Sequence, residues 1–342
     1  MNKNNQSFSN GCLWIFLTFV FAIVAFGVLQ FFIKLHESIS FLLAITISIL
    51  FTYKILGTPS IKSIIKNVVV LCILFAGLRL IGSFLIDLSH QDHAIFTEEE
   101  TVTTEYIIEQ QDTVPVYKSN RHWKDNFGNV YSGELMVRAK DYKRLRGYMQ
   151  HYNPTNNTNF WGELYKHMEQ KDAPSLDLIM QMFTKVHQQK NLNQMEFAEM
   201  VVSCVQDIPY SFVFQETCLP ASNYEDEIKY VLEDCPDCCI GNIPFGIQNP
   251  VSFIKNLKGD CDTRTVLIYS ILKHFNYDVA IANSDFYRHS ILGLNIPATG
   301  KQKKYRGKTY TLWETTAKHF PIGELSSTTN NVSHWNIVLT SK

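Results

Sequence analysis

The first 90 residues are suited to a different solvent from the rest of the chain. Leu13 to Ile33, Ile39 to Leu56 and Val68 to Leu88 are long apolar runs, whereas the later residues mix polar and apolar side chains as a water-soluble domain does. A helix needs roughly 20 apolar residues to cross the hydrocarbon layer. The runs therefore predict three transmembrane helices, at about 13–33, 39–56 and 68–88. Lys54 lies near a helix end, where its ammonium reaches the interface, and mid-span Arg79 is expected to face other helices, a polar cavity or a partner in a structural role. A cleaved leader is the rival reading, since Lys3 precedes the first run, but two more apolar segments follow and no small-residue cleavage signature stands out.

Basic residues orient such an anchor. Lys54, Lys62 and Lys66 cluster in the second loop, the first loop has Lys34, and the chain after the third run carries Asp87, Asp92 and Glu98 to Glu100. The second loop and the N-terminus are then cytoplasmic, and the C-terminal region lies outside the cytoplasm, in the periplasm or on the outer face of an inner membrane. The lipid bilayer is thus an expected partner. A formal net charge of -1 supplies no basic field for a phosphate backbone, so nucleic acid is not expected.

The 342 residues leave room for more than one unit. Residues 1–88 form the transmembrane region, 89–150 a juxtamembrane stalk with a small β element, and 151–342 a globular domain. From His90 to Tyr117 the chain is polar and acidic. Trp123 to Gly128 has turn chemistry, and Val130 to Ala139 alternates in polarity as a strand does. Beyond it, Leu176, Ile179, Met180, Phe183 and Val186 recur at helical spacing. Asn193 and Glu196 stand as an N-cap and its reciprocal third residue, followed by a stripe of Phe197, Met200, Val201, Cys204 and Val205 that Pro209 ends. Such a stripe belongs to a core, and Cys204 reads as a small buried hydrophobe.

Gly259-Asp-Cys261-Asp-Thr-Arg264 directly precedes the helical pattern Leu267, Ile268, Ile271, Leu272 and Phe275, with Asn276 at the exit and a strand at Val279 to Ala282. Cys261 is therefore expected at a helix N-terminus, where unpaired amides and the positive dipole end favour a thiolate. Gly259 is read as permitting a tight turn. A nucleophilic thiol needs a base and a group to orient that base. His289 lies in Phe286 to Leu294 and Glu314 follows Tyr310 to Trp313, two strand-like segments joined through a basic turn containing Gly300 and Gly307. Paired as a hairpin, at about 4.8 Å between strands, they would bring the carboxylate to the imidazole.

Taken together, GDCDTR opening a helix, RHSILGL on a strand and then LWETT resemble the transglutaminase-like superfamily. Asp207-Ile-Pro-Tyr210 and the Asn249-Pro-Val approach to the cysteine are similar to it as well, and the likeness spans Ser175 to Leu325. The resemblance implies an α+β papain-like core, a helix-start Cys packed on an antiparallel sheet, here after an N-terminal three-helix transmembrane region. It implies a Cys261, His289, Glu314 triad that performs acyl transfer or hydrolysis on a glutamine side chain, a peptide bond or a cell-envelope amide, without a cofactor or metal. Glu314 stands where the family usually has Asp, and Ser290 and Ile291 replace the aromatic residue often found after the His. The Cys261 amide is the natural oxyanion donor, with Gln248 as a weaker side-chain candidate that could equally cap a turn.

Each triad residue alone has a blander reading: a buried inert thiol, a satisfied core His, a surface carboxylate. Their ordered combination carries the enzyme reading. Cys218, Cys235, Cys238 and Cys239 form a separate group. Four thiols could hold zinc, but the adjacent Cys238 and Cys239 are awkward for such a site, and disulfides joining Cys218 to one or more of the others suit an extracytoplasmic domain better. A noncatalytic binding or assembly module and a zinc-stabilised scaffold are the competing functions.

Overall fold

The computed structural model describes residues 11–32, 37–57, 69, 77, 101–154 and 158–342. The chain divides into two compact units, Met1–Gln91 and Asp92–Lys342.

In the first unit, α1 (Gly11–Phe32) packs on α2 (Glu37–Leu56). Ser40, Ala44, Ser48 and Thr52, four residues apart, make a buried small-residue stripe along α2 that lets the backbones approach. The Ser48 and Thr52 hydroxyls donate to the carbonyls one turn back, at 2.6 and 2.8 Å. Phe21 meets Phe51 edge to face, with ring centroids 4.9 Å apart. The expected three-helix transmembrane region is corrected here: among the described residues no helix is long and apolar enough to cross a membrane. α1 is continuous through Thr18, whose hydroxyl donates to the Trp14 carbonyl at 2.9 Å, and Thr46, Ser48, Thr52 and Lys54 recur in α2. The run at 68–88 lies outside the described residues except for positions 69 and 77.

The second unit is α+β. Strands β1 (Thr103–Glu109), β2 (Asp112–Lys124) and β3 (Val130–Arg138) form an antiparallel meander. Part of the stretch read as a stalk is thus a sheet, and Val116, Trp123, Tyr131, Leu135 and Val137 on it are buried. All but Val116 join the same apolar cluster as the helices and the second sheet. The Trp123 indole donates to the Met200 carbonyl at 3.1 Å. The unit Asp92–Lys342 runs through residue 150.

Helices α3 (Ala139–Leu145), α4 (Phe160–Asp172), α5 (Asp177–Lys190) and α6 (Gln194–Gln206) follow. The apolar stripes expected on α5 and α6 are buried. The Asn193 side-chain Oδ1 caps α6 by accepting from the Met195 and Glu196 backbone amides at 2.9 and 3.0 Å, and the Glu196 carboxylate accepts from the Asn193 backbone amide at 2.8 Å. Short strands β4 (Phe212–Val213) and β5 (Cys239–Ile240) flank α7 (Asp226–Asp234), and α8 (Pro250–Asn256) leads to α9 (Cys261–His274).

The site rests on a five-stranded antiparallel sheet in the order β10-β6-β7-β9-β8, where β6 is Val279–Ser284, β7 His289–Leu294, β8 Gln302–Tyr305, β9 Lys308–Trp313 and β10 Asn336–Thr340. Both faces are covered, so all six residues of β6 are buried. Val279, Ile281, Leu292, Leu294 and Trp313 join the main core with α9, whereas Ala280, Ala282, Ile291, Tyr310 and Leu312 form a second cluster with Trp335. The expected pairing of the His and Glu strands is present as β7 against β9, with Leu292 opposite Trp313. The connection between them is longer than a hairpin turn, because it also contains β8, which pairs with the outer side of β9.

Candidate active site

Cys261 is the first residue of α9 and is 6% exposed. Asp260 caps that helix, its carboxylate accepting from the Thr263 amide at 3.0 Å. The Cys261 amide, at the first helical position, has no carbonyl one turn back to bond. Gly259 has an ordinary negative φ, so a tight turn is not its reason for being there. A Cβ on it would lie 2.8 Å from the Thr263 methyl and 2.9 Å from the Phe253 ring, and glycine is what that packing admits.

His289 opens β7 and Glu314 follows β9 directly, so the antiparallel pairing places both at the sheet end beneath the start of α9. The His289 Nε2 lies 3.1 and 3.0 Å from the two Glu314 carboxylate oxygens. A carboxylate only accepts, so Nε2 carries a proton toward it, and Nδ1 is the ring nitrogen not engaged by Glu314. The Cys261 sulfur and the same ring interact electrostatically, each acting on the other's protonation. Trp335 closes the flank, its ring centroid 5.8 Å from that of His289.

The longer glutamate arm is accommodated by the residues after it. Glu314 Oε1 accepts from the Thr315 amide at 2.9 Å, the Thr316 amide at 3.0 Å and the Thr316 hydroxyl at 2.7 Å. The carboxylate is thereby held by the LWETT segment itself while it reaches the imidazole.

The electrostatics follow from burial and pairing. Burial opposes ionisation of Glu314, but the His289 charge and hydrogen bond, with Thr316, overcome it and hold the carboxyl at about 2. Burial likewise opposes protonation of His289, yet Glu314 and the Cys261 sulfur raise that imidazole well above its ordinary value. The thiol departs from the sequence expectation. Burial, then the Asp262 charge, push Cys261 up, and His289 pulls it down by less. The Asp260 carboxyl is pushed up to about 7, by burial and by Asp262.

Residues that sequence reasoning did not single out frame the site. The fully buried Arg264 donates to the Gly259 carbonyl at 2.9 Å, to Val205 at 2.9 Å, to Ile208 at 2.8 Å and to Pro209 at 2.5 Å. It ties α9 to the end of α6. The same helix end holds the carboxylate strand, because Gln206 donates to the Glu314 and Phe320 carbonyls at 2.7 and 3.0 Å. Asp207 pairs with Arg121 at 2.7 Å and Lys318 at 2.5 Å. On the other side the Tyr165 hydroxyl donates to Asp262 at 2.6 Å and accepts from the Asn283 amide at 2.9 Å. In the sequence Arg264 stands only as the last residue of the GDCDTR motif, with no role assigned to it.

Gln248 does not face the thiol. Its side-chain amide donates to the Lys258 carbonyl and its oxygen accepts from Asn256 at 3.0 Å, so it braces the loop before Gly259. Cys204 is fully buried and its thiol is pushed up to about 12 by burial. The four clustered cysteines form two disulfides, Cys218–Cys239 and Cys235–Cys238, which leaves no thiolate among them to ligate zinc.

The chain matches no family model, no curated protein and no solved structure. The functional reading therefore rests on the chemistry of this site and on the motif resemblance.

Proposed function

We propose that the chain is a transglutaminase-like cysteine enzyme performing acyl transfer or hydrolysis on protein or cell-envelope amides. The observation that carries this reading is the hydrogen-bonded His289–Glu314 pair, with the Cys261 thiol at the start of α9 electrostatically coupled to the same ring. In the proposed reaction the sulfur attacks the amide carbon as His289 Nδ1 takes the thiol proton. The C–N bond then breaks, His289 returns the proton to the departing amine, and a thioester remains on Cys261. Water or a second amine, deprotonated by His289, attacks the thioester and restores the thiol. Glu314 holds the ring in the required tautomer and stabilises the imidazolium. The two disulfides support placement of the 92–342 unit in an oxidising compartment.

The burial of Cys261 favours one alternative, a noncatalytic binding module. Incubation with glutamine-containing peptides, followed by intact-mass analysis, separates the two. The enzyme reading expects an acyl adduct on Cys261 that is absent in Cys261→Ala. A thiol that stays free of adducts and also resists iodoacetamide up to pH 9 would establish the binding module instead.

A further inference from the structure

The reaction proposed above develops negative charge on a carbonyl oxygen, and a site of this kind requires donors aimed at that oxygen. The Cys261 amide supplies one. Gln248 is committed to Lys258 and Asn256, so the second donor must come from elsewhere.

Tyr210 has the right attachment. It forms a parallel bridge with Gly259, two residues before the nucleophile, and the Ser211 amide donates to the Gly259 carbonyl at 3.3 Å. Its ring lies over the Arg264 guanidinium, 5.5 Å from centroid to Cζ, and Arg264 is one turn along the helix that Cys261 opens. Phe212 packs edge-on against it, with centroids 5.3 Å apart. The ring is thus fixed on three sides beside the first turn of α9. Among the described residues its hydroxyl bonds to no protein group, whereas the other tyrosine beside the nucleophile, Tyr165, is saturated by Asp262 and Asn283.

Resting on the enzyme reading, we propose that the Tyr210 hydroxyl is the side-chain donor of the oxyanion hole, acting with the Cys261 amide. Burial first, then the nearby Cys261 charge, keep the phenol neutral well above its ordinary range, so it is a donor at neutral pH. The Arg264 cation against the ring strengthens the O–H as a donor by drawing electron density from it.

Tyr210→Phe removes that oxygen and leaves the ring on Arg264. Two reagents distinguish the proposed role. With p-nitrophenyl acetate the sulfur attacks a carbonyl, an oxyanion forms, the ester C–O bond breaks, p-nitrophenolate leaves with the electron pair and the thiol proton passes to His289. With iodoacetamide the sulfur displaces iodide at a saturated carbon and no oxyanion arises. The expected result is acylation of Cys261 slowed roughly 10²-fold, with alkylation within twofold of the unsubstituted chain. Equal slowing of both reactions, or of neither, would overturn the assignment of Tyr210 while leaving the enzyme reading intact. Absence of acylation in the unsubstituted chain, with alkylation still present, would overturn the enzyme reading and this proposal with it.

Discussion

Replacing Glu314 by Gln keeps the shape of the side chain and inverts the logic of the proton beside it. Three donors, the Thr315 and Thr316 amides and the Thr316 hydroxyl, all converge on Oε1, so the glutamine oxygen takes that position and its NH2 takes the place of Oε2. That NH2 then donates toward His289 Nε2, which must become an acceptor. The ring proton moves to Nδ1, facing the thiol with the nitrogen that should receive its proton. Loss of the correct tautomer in a comparable triad costs about 10⁴ in rate, so acylation should fall by roughly 10³ to 10⁴, about 4 to 5.5 kcal/mol of activation free energy. Stability should move too. Glu314 is held at about 2 against an ordinary 4.5, a difference worth roughly 3 kcal/mol at about 1.4 kcal/mol per unit. Because the folded value is depressed, this contribution is present above pH 4.5 and disappears as pH falls toward 2. Glu314→Gln should therefore lose about 3 kcal/mol at pH 7 and converge with the unsubstituted chain near pH 2. Stopped-flow acylation by p-nitrophenyl acetate and urea denaturation across pH measure the two effects, and nitrogen NMR of the imidazole reads the tautomer directly. Acylation within tenfold of the unsubstituted chain, with the proton still on Nε2, would refute the reasoning.

Arg264→Met should cost about 3 to 5 kcal/mol, read as a lowered urea midpoint, because the Val205, Ile208, Pro209 and Gly259 carbonyls lose their shared buried donor. Glu199 is fully buried on α6 with its carboxyl pushed up to about 7 by burial. A raised carboxyl is neutral in the fold at low pH and costs stability as pH rises from 4.5 through 7. Glu199→Gln should flatten that decline, by up to about 3 kcal/mol between pH 5 and pH 8 in denaturation midpoints.

What the sequence disclosed was local. The Asn193 and Glu196 cap, the stripe of α6 and the cysteine at the start of α9 each depend on residues within a turn or two, and all are in the structure as read. The β7 and β9 partnership was legible because both segments have strand composition, but nothing in it revealed that β8 intervenes. The meander of β1 to β3 was mostly missed. Its apolar residues alternate with charged ones, and only contact with α6 shows that Trp123 and Tyr131 are core. The thiol misled for a related reason: helix-start position is visible in a sequence, whereas burial of Cys261 among Asp262, Tyr165 and Tyr210 depends on elements far apart in the chain. Arg264 and Gln206 escaped because their partners are backbone carbonyls, which no residue type announces.

The last turn of α6 holds the start of α9 through Arg264 and the end of β9 through Gln206. Displacement of that turn would carry sulfur and carboxylate along as one body, preserving the spacing between them. Motion elsewhere in the domain can then reshape the approach of a substrate without detuning the reacting groups, and sequence drift in the surrounding loops should be tolerated more readily than any change at the pin itself.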